Sequence, residues 1–427
     1  MQGSTKTAGG IHRECGMTLL IVAASLLVLL GVAALAIDLG SLYVARSEAQ
    51  RAADAAALAG AEEFVSSGFT SGLVSQSAVQ ALATQDAITV GGQNLVGGLP
   101  AQIQPGDVTF DFSAAENPRV TVTVQRSRSR GNPLPTFFSK ALGIASAAVS
   151  ATATAEAYNP SGTSGPPVGT MCLKPWILPN CDPNHKTPGN PNCPGFATFI
   201  DPSSGAISHP GPSTRGGVIG ETLLLKSGDP QLAPAPAQYY PIIIPAPPNS
   251  LCPSCGNSSA SQNGADLYRA NISCCNTNSF VCGAQGTVDL NLKPGNMQGP
   301  TQQGASCLIH QNPGDGQDIL NTSTVPFQYI AGHNNPFAPP NTLISSSDSV
   351  VAVPLYDGHA LCPGGSCNST LTILGFLQVF ITDVSSGGDV NGVILNVSGC
   401  GSGGGSGSGG VVTGGAGAPV PVRLVHN

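Results

Sequence analysis

Residues 17–64 read MTLLIVAASLLVLLGVAALAIDLGSLYVARSEAQRAADAAALAGAEEF. From Met17 to Ile37 there is no charge, and the only hydroxyls are Thr18 and Ser25. At 1.5 Å per residue that stretch forms a helix about 31 Å long, matching a bilayer's hydrocarbon core. Lys6, His12 and Arg13 precede it and Asp38 closes it. A cleaved signal peptide competes, because Ala34-Leu35-Ala36 has the form of a cleavage site. The apolar run is longer than a signal peptide's, and no breaker follows it, so retention is the favoured reading. Beyond Asp38 alanine dominates and no proline intervenes. Helix is therefore predicted to continue to Phe64, giving one rod of roughly 70 Å. Ala45, Ala49, Ala52, Ala53, Ala56 and Ala59 form a stripe of small side chains against which another element could pack closely.

Ser66 to Gly72 should break the rod, and Leu73 to Ile88 is a second helical candidate that Gly91, Gly92, Gly97 and Gly98 end. The period then changes. Val108–Phe112 and Arg119–Gln125 alternate as strands, with Asn117-Pro118 between them. Pro135–Leu142 suits a short helix, and Ile144–Tyr158 a strand paired with Arg119–Gln125. Further strands are expected at Gly217–Leu225, Tyr239–Ile244, Val350–Leu355, Leu371–Thr382 and Val390–Val397. Val420–Val425 reads as a last strand returning to the sheet. The fold class is α+β: a transmembrane helix, a long Ala-rich helix on a small α+β domain, then a β/loop-rich, cysteine-rich region. The boundaries are 1–15 cytoplasmic tail, 16–37 transmembrane helix, 38–158 juxtamembrane helix and α+β domain, 159–170 linker, 171–400 cysteine-rich region, and 401–427 Gly-rich tail with its terminal strand.

Of 427 residues only 9% are charged, with 55 Gly and 36 Pro, so loops and short strands fill much of the length. The net charge of −7 and 16 scattered basic residues exclude a phosphate-tracking groove, and no nucleic-acid partner is expected. Lysine and arginine barely distinguish the two ends of the membrane helix: Lys6 and Arg13 precede it, Arg46 and Arg51 follow. Cysteine decides the orientation. Cys15 precedes the helix, and the remaining twelve, from Cys172 to Cys400, all follow it. That is a disulfide framework in an oxidising compartment. The N-terminus is accordingly placed inside and the bulk outside.

The run from Asp38 to Ala61, directly after a membrane helix, resembles the N-terminal signature of TadG-like proteins of Flp (tight-adherence) pilus assembly. Asp38 and Gly40, then Tyr43, Ala45 and Arg46, then Gln50 to Ala61 carry the resemblance. It implies a bacterial inner-membrane, single-pass protein without enzymatic activity. Its partners would be the lipid bilayer and other pilus-assembly or envelope proteins. Some members carry a von Willebrand A domain with a D-x-S-x-S metal site. The near matches here, Asp201/Ser203/Gly205 and Asp383/Ser385/Gly387, lack the alternating strands and helices such a domain needs, and read as turns. Gly16 precedes Met17 as in processed pilins, but the fifth residue after it is Ile21 where those carry Glu.

Cys252-Pro-Ser-Cys255 looks like half a zinc knuckle, but a structural zinc needs a second hook, and the adjacent Cys274 and Cys275 make a poor one. Disulfides are the better reading, with a local Cys362–Cys367 bridge plausible. His185, His209, His310, His333 and His359 lie in loops without helical spacing, and no G-x-S-x-G elbow occurs. No catalytic, cofactor-binding or metal-ligating residue is assigned, and no cofactor. The alternative to a structural pilus component is an anchored extracytoplasmic binding module for a glycan or metal ligand.

Overall fold

A computed structural model describes residues 14–114, 117–161, 165–190, 193–227, 241–253, 255, 264–287, 297–357, 369–401 and 410–425. The architecture is α+β, as expected. Helix α1, Glu14–Ser66, is continuous through the apolar stretch and the alanine run. Among the described residues one helix is long and apolar enough to cross a membrane, and it is this one. Its apolar stretch is bare: Leu19 is 74% and Leu27 70% exposed. Further along, Ala45, Ala49, Ala52, Ala53 and Ala56 are buried as the stripe predicts. The buried face widens to Ala57 and Ala61, while Ala59 sits at its edge, half-buried.

The helix stops where expected. Gly68 adopts φ +73° and a 3-10 turn follows at Phe69–Ser71. Helix α2 spans Gln76–Gly92, later than the sequence suggests at both ends. Its start follows Ser75, whose hydroxyl accepts the Ala78 amide at 3.4 Å. At its far end Gly91 belongs to the helix instead of terminating it. A Cβ there would lie 2.2 Å from Ile103 Cδ1 and 3.0 Å from Ala56 Cβ, so the glycine serves close packing. The chain then reverses through Gly97 and Gly98, with φ of +59° and +80°, between Leu95–Val96 and Leu99–Pro100. Two consecutive positive φ values define the hairpin turn that only glycine or asparagine fits easily. Glu48 of α1 accepts the Gly97 amide at 2.7 Å.

One sheet has the strand order Val108–Asp111, Arg119–Arg126, Val149–Ala157, Val422–Val425. The terminal strand returns as predicted, antiparallel to Thr154–Ala157. Buried Glu156 accepts from Arg119 Nε at 3.0 Å and from Arg423 at 2.7–2.8 Å, and the Arg423 guanidinium lies 4.8 Å from the Tyr158 ring centre. The expected helix at Pro135–Leu142 is instead a short strand, Leu134–Pro135, followed by a 3-10 turn, Ser139–Leu142. The segment folds back on itself instead: the Thr136 amide donates to Ala145 O beside the pair with Ser146–Ala147, and Gly143, at φ +88°, ends the turn.

A second sheet runs Thr222–Lys226, Val390–Gly399, Thr370–Val384, Val350–Tyr356, Leu178–Pro179. All neighbours are antiparallel except the last pair. The strand expected at Tyr239–Ile244 falls partly outside the described residues, and 241–244 form no strand. The central strands are buried on both faces, which matches their near-continuous apolar sequence. Leu173, Ile177, Ile242, Tyr356, Ile373 and Phe376 belong to the core beneath.

Ten of the twelve downstream cysteines pair as Cys172–Cys275, Cys181–Cys193, Cys252–Cys274, Cys255–Cys307 and Cys282–Cys400. Cys362 and Cys367 lie outside the described residues. The cysteine-rich region also holds two helices that the sequence does not announce, α3 at Gly264–Ser273 and α4 at Gln298–Leu308. Gly299, Pro300 and Gly304 make α4 a poor helix by propensity. It forms because Gly304 brings it against α3: a Cβ there would lie 2.9 Å from Arg269 O and 3.0 Å from Ile272 Cβ. The lone tryptophan, Trp176, donates to Tyr268 Oη of α3 at 2.9 Å, and Tyr268 meets Thr301 of α4 at 3.0 Å.

The chain forms two compact units: Met1–Ala57, Ala87–Thr109 and Thr121–Ala153; and Leu58–Asp86, Phe110–Val120 and Thr154–Asn427. In the first, Asp107 pairs with Arg130, and buried Arg126 donates to the Asn132 carbonyl at 2.8 Å. In the second, Phe64, Phe69, Phe110 and Phe112 form an edge-on aromatic cluster. Asn396, part of an N-x-S sequon, is buried there and donates to Val65 O at 3.2 Å, so it is a tie between elements and not a modification site.

Glu63 in the second unit gives a pH prediction. Burial, then the Asp86 carboxyl and the Glu62 charge, raise its carboxyl from 4.5 to about 7. The folded chain thus holds this proton more tightly than the unfolded one. Its contribution is present below pH 4.5 and lost as pH rises through 7. Glu63→Gln should flatten that slope and stabilise the chain at pH 8 by about 1–2 kcal/mol, allowing for solvent screening. Denaturant unfolding of both chains at pH 5 and pH 8 measures it; equal pH dependence in the two would refute the assignment.

Candidate functional site

The residue that closes the apolar stretch holds an unusual position. Asp38 is 2% exposed, covered by the segment it binds. Its Oδ1 accepts the Phe137 amide at 2.8 Å, its Oδ2 the Phe138 amide at 3.1 Å, and Oδ2 also takes the amide and hydroxyl of Ser139. These donors open the 3-10 turn Ser139–Leu142, where free backbone amides favour an anion. The Ser139 hydroxyl, opposed by burial and then reinforced by the three amides, brings the carboxyl down to about 2. Asp38 is therefore ionised at any physiological pH. The segment it grips is the tip of a small hairpin, Leu134–Pro135 paired with Ser146–Ala147. That tip turns Phe137, Phe138 and Ile144 outward, 66%, 49% and 55% exposed. A carboxylate at the end of the membrane-length apolar stretch thus fastens an apolar-tipped hairpin beside it.

The other residues that drew attention in the sequence behave differently. Cys252 and Cys255 do not form one hook: they join separate bridges, to Cys274 and Cys307. Asp201 accepts the Ser203 and Ser204 amides at 2.8 and 3.0 Å, an ordinary turn. Asp383 ends a strand and accepts from Asn391 at 3.1 Å. Lys174 lines a cleft of about 1030 Å³. Its ammonium is spent on the Ile272 and Cys274 carbonyls at the end of α3, at 2.7 and 3.1 Å. Burial lowers it to about 7.

Two of the histidines do meet. His185 and His209 stack at 4.1 Å, 8° from parallel. Asp182 Oδ2 lies 2.7 Å and Glu221 Oε1 3.4 Å from His185 Nδ1. Burial lowers the His185 basicity, but Asp182 and then Glu221 outweigh it and the net shift is upward. His209 moves the other way, through burial and the charge of His185. Sequence spacing could not find this group, because it is assembled from three separate loop segments and no periodic element carries it. The one local signal is Asp182-x-x-His185 directly after Cys181. His310 pairs instead with Asp348 at 2.9 Å.

Residues 16–63 match the Tad family model, Flp pilus-assembly TadE/G-like. The resemblance read from Asp38 to Ala61 is borne out, and the matched stretch includes both the membrane-length segment and Asp38. No curated protein and no solved structure matches the chain.

Proposed function

We propose, from a TadE/G-like helix that ends its apolar stretch in a gripped carboxylate, that this chain is a non-enzymatic, membrane-anchored component of Flp-type pilus assembly. In this reading residues 16–37 span the bacterial inner membrane with the N-terminus inside. The parts from 38 onward stand outside, where the cysteines oxidise, and act through contacts with other pilus or envelope proteins. The observation that carries it is the coincidence of the family match with Asp38. The carboxylate sits where the helix would leave the bilayer, and the hairpin tip it holds presents phenylalanines to the interfacial layer, where aromatic rings are favoured. The helix would thereby be fixed in rotation and depth against what it carries.

Deleting the gene should abolish surface pili and adherence, and the wild-type chain should restore them. Asp38→Ala, made at normal level, should restore them poorly. Unchanged piliation in the deletion strain would count against the whole reading; full rescue by Asp38→Ala would count against the role of the latch alone. The second reading, an anchored binding module, draws on one observation, the meeting of His185 and His209 between two carboxylates.

A further inference from the structure

We propose that Asp182, His185 and His209 bind a divalent metal ion of the zinc class, with Glu221 completing the site. One ligand atom from each of the first three lies within 4.8 Å of the others. His185 Nδ1 is 2.7 Å from Asp182 Oδ2 and 3.4 Å from Glu221 Oε1. Around a tetrahedral zinc with bonds of 2.0–2.1 Å, ligand atoms stand roughly 3.3 Å apart, so the spacing of Asp182, His185 and Glu221 fits, while His209, stacked parallel on His185, must turn its ring to bring a nitrogen lone pair onto the ion.

The outward-facing atoms of these side chains are already committed. His185 Nε2 meets the Gly216 carbonyl at 3.1 Å, and a carbonyl only accepts, so Nε2 carries the hydrogen. Asp182 Oδ1 accepts the Asn184 amide and Glu221 Oε2 the Asn184 side chain, both at 3.0 Å. In the neutral ring the Nδ1 lone pair therefore points at two carboxylate oxygens, an arrangement that calls for a cation between them. A proton on His185 would answer that need but leave His209 Nδ1, which is buried and makes no hydrogen bond. A metal ion beside His185 Nδ1, with the His209 ring turned so that its Nδ1 reaches it, answers both. Ligating histidines characteristically donate their second nitrogen to a carbonyl or carboxylate, as His185 does to Gly216.

The site is also held in place. Asp182 and His185 lie inside the loop closed by Cys181–Cys193, and the Asp182 amide donates to Ala197 O at 2.9 Å. With those cysteines oxidised, the donors are imidazole and carboxylate without thiolate. That set suits zinc, cobalt or nickel and not the soft Cu(I).

The test uses the full-length chain, oxidised, in detergent, without a polyhistidine tag, stripped by chelator and titrated with Zn²⁺ and Co²⁺. One ion should bind per chain, with cobalt d–d bands of a nitrogen/oxygen site and no thiolate charge-transfer band. Asp182→Asn and His209→Ala should each weaken binding by at least the roughly 100-fold that loss of an outer partner can cost. His310→Ala, elsewhere in the fold, should leave it unchanged. Absence of saturable binding, a thiolate band, or undiminished affinity in both site variants would overturn the proposal. Trp176 fluorescence and thiol counting check that the variants fold; if one does not, the cobalt spectrum of the unaltered chain decides.

Discussion

Replacing Cys282 and Cys400 by serine together should cost the folded chain about 5 kcal/mol, against about 3 kcal/mol for the Cys181/Cys193 pair. The two bridges close loops of very different length, with sequence separations of 118 and 12. The stabilisation arises in the unfolded ensemble, which a longer closed loop restricts more. The other described bridges shorten the path between Cys282 and Cys400 only slightly, since by way of Cys274–Cys252 and Cys255–Cys307 it still runs over roughly 100 residues, and both cysteines belong to the buried core. Since whole domains are stable by only about 5–15 kcal/mol, the loss should bring the second unit close to unfolding at room temperature. Trp176 is the only tryptophan and is 1% exposed, so its fluorescence follows this unit through a guanidinium titration. A short-loop variant as unstable as the long-loop one would show that strain or packing, and not chain entropy, governs.

The second large effect concerns the anchor. Leu26→Arg with Leu27→Arg places two guanidinium groups in the middle of the apolar stretch, where side chains are bare. Each arginine at a helix centre costs about 2.5–3.5 kcal/mol of insertion free energy. The pair should shift the partition between membrane and soluble fractions by roughly 10⁴-fold. Carbonate extraction of cell membranes and the intact mass of the chain read the outcome. A wild-type chain that begins at Ile37 and appears in the soluble fraction would replace the anchor with a cleaved leader.

These expectations lean on parts of the chain that differ in how readily sequence yields them. The anchor and the alanine rod are visible because their cause is local: apolar residues without charge, then strong helix formers without a breaker. The returning 422–425 strand is visible because Val422 and Leu424 alternate with Arg423 and Val425 after a glycine run. Helix α4 is hidden because its residues oppose it, and only packing on α3 and the Cys255–Cys307 bridge bring it about. The disulfide map is hidden because the two halves of Cys252–Cys255 go to partners 22 and 52 residues away, which no spacing rule prescribes. The histidine pair is hidden for the same reason: what makes it a site is the approach of loops, fixed by the Cys181–Cys193 bridge and by Gly216.

Because Ala157 is hydrogen-bonded beside Val422, the chain leaves the small sheet and re-enters it at adjacent positions. Everything between those residues is topologically a cassette, whose entrance and exit share one doorway. A change of length in the insert's outer loops leaves that doorway intact, whereas a change at Asn396 would break its tie to Val65. A pull on the insert loads the 154–157/422–425 ladder as paired threads, with the Arg119–Glu156–Arg423 clamp as the knot.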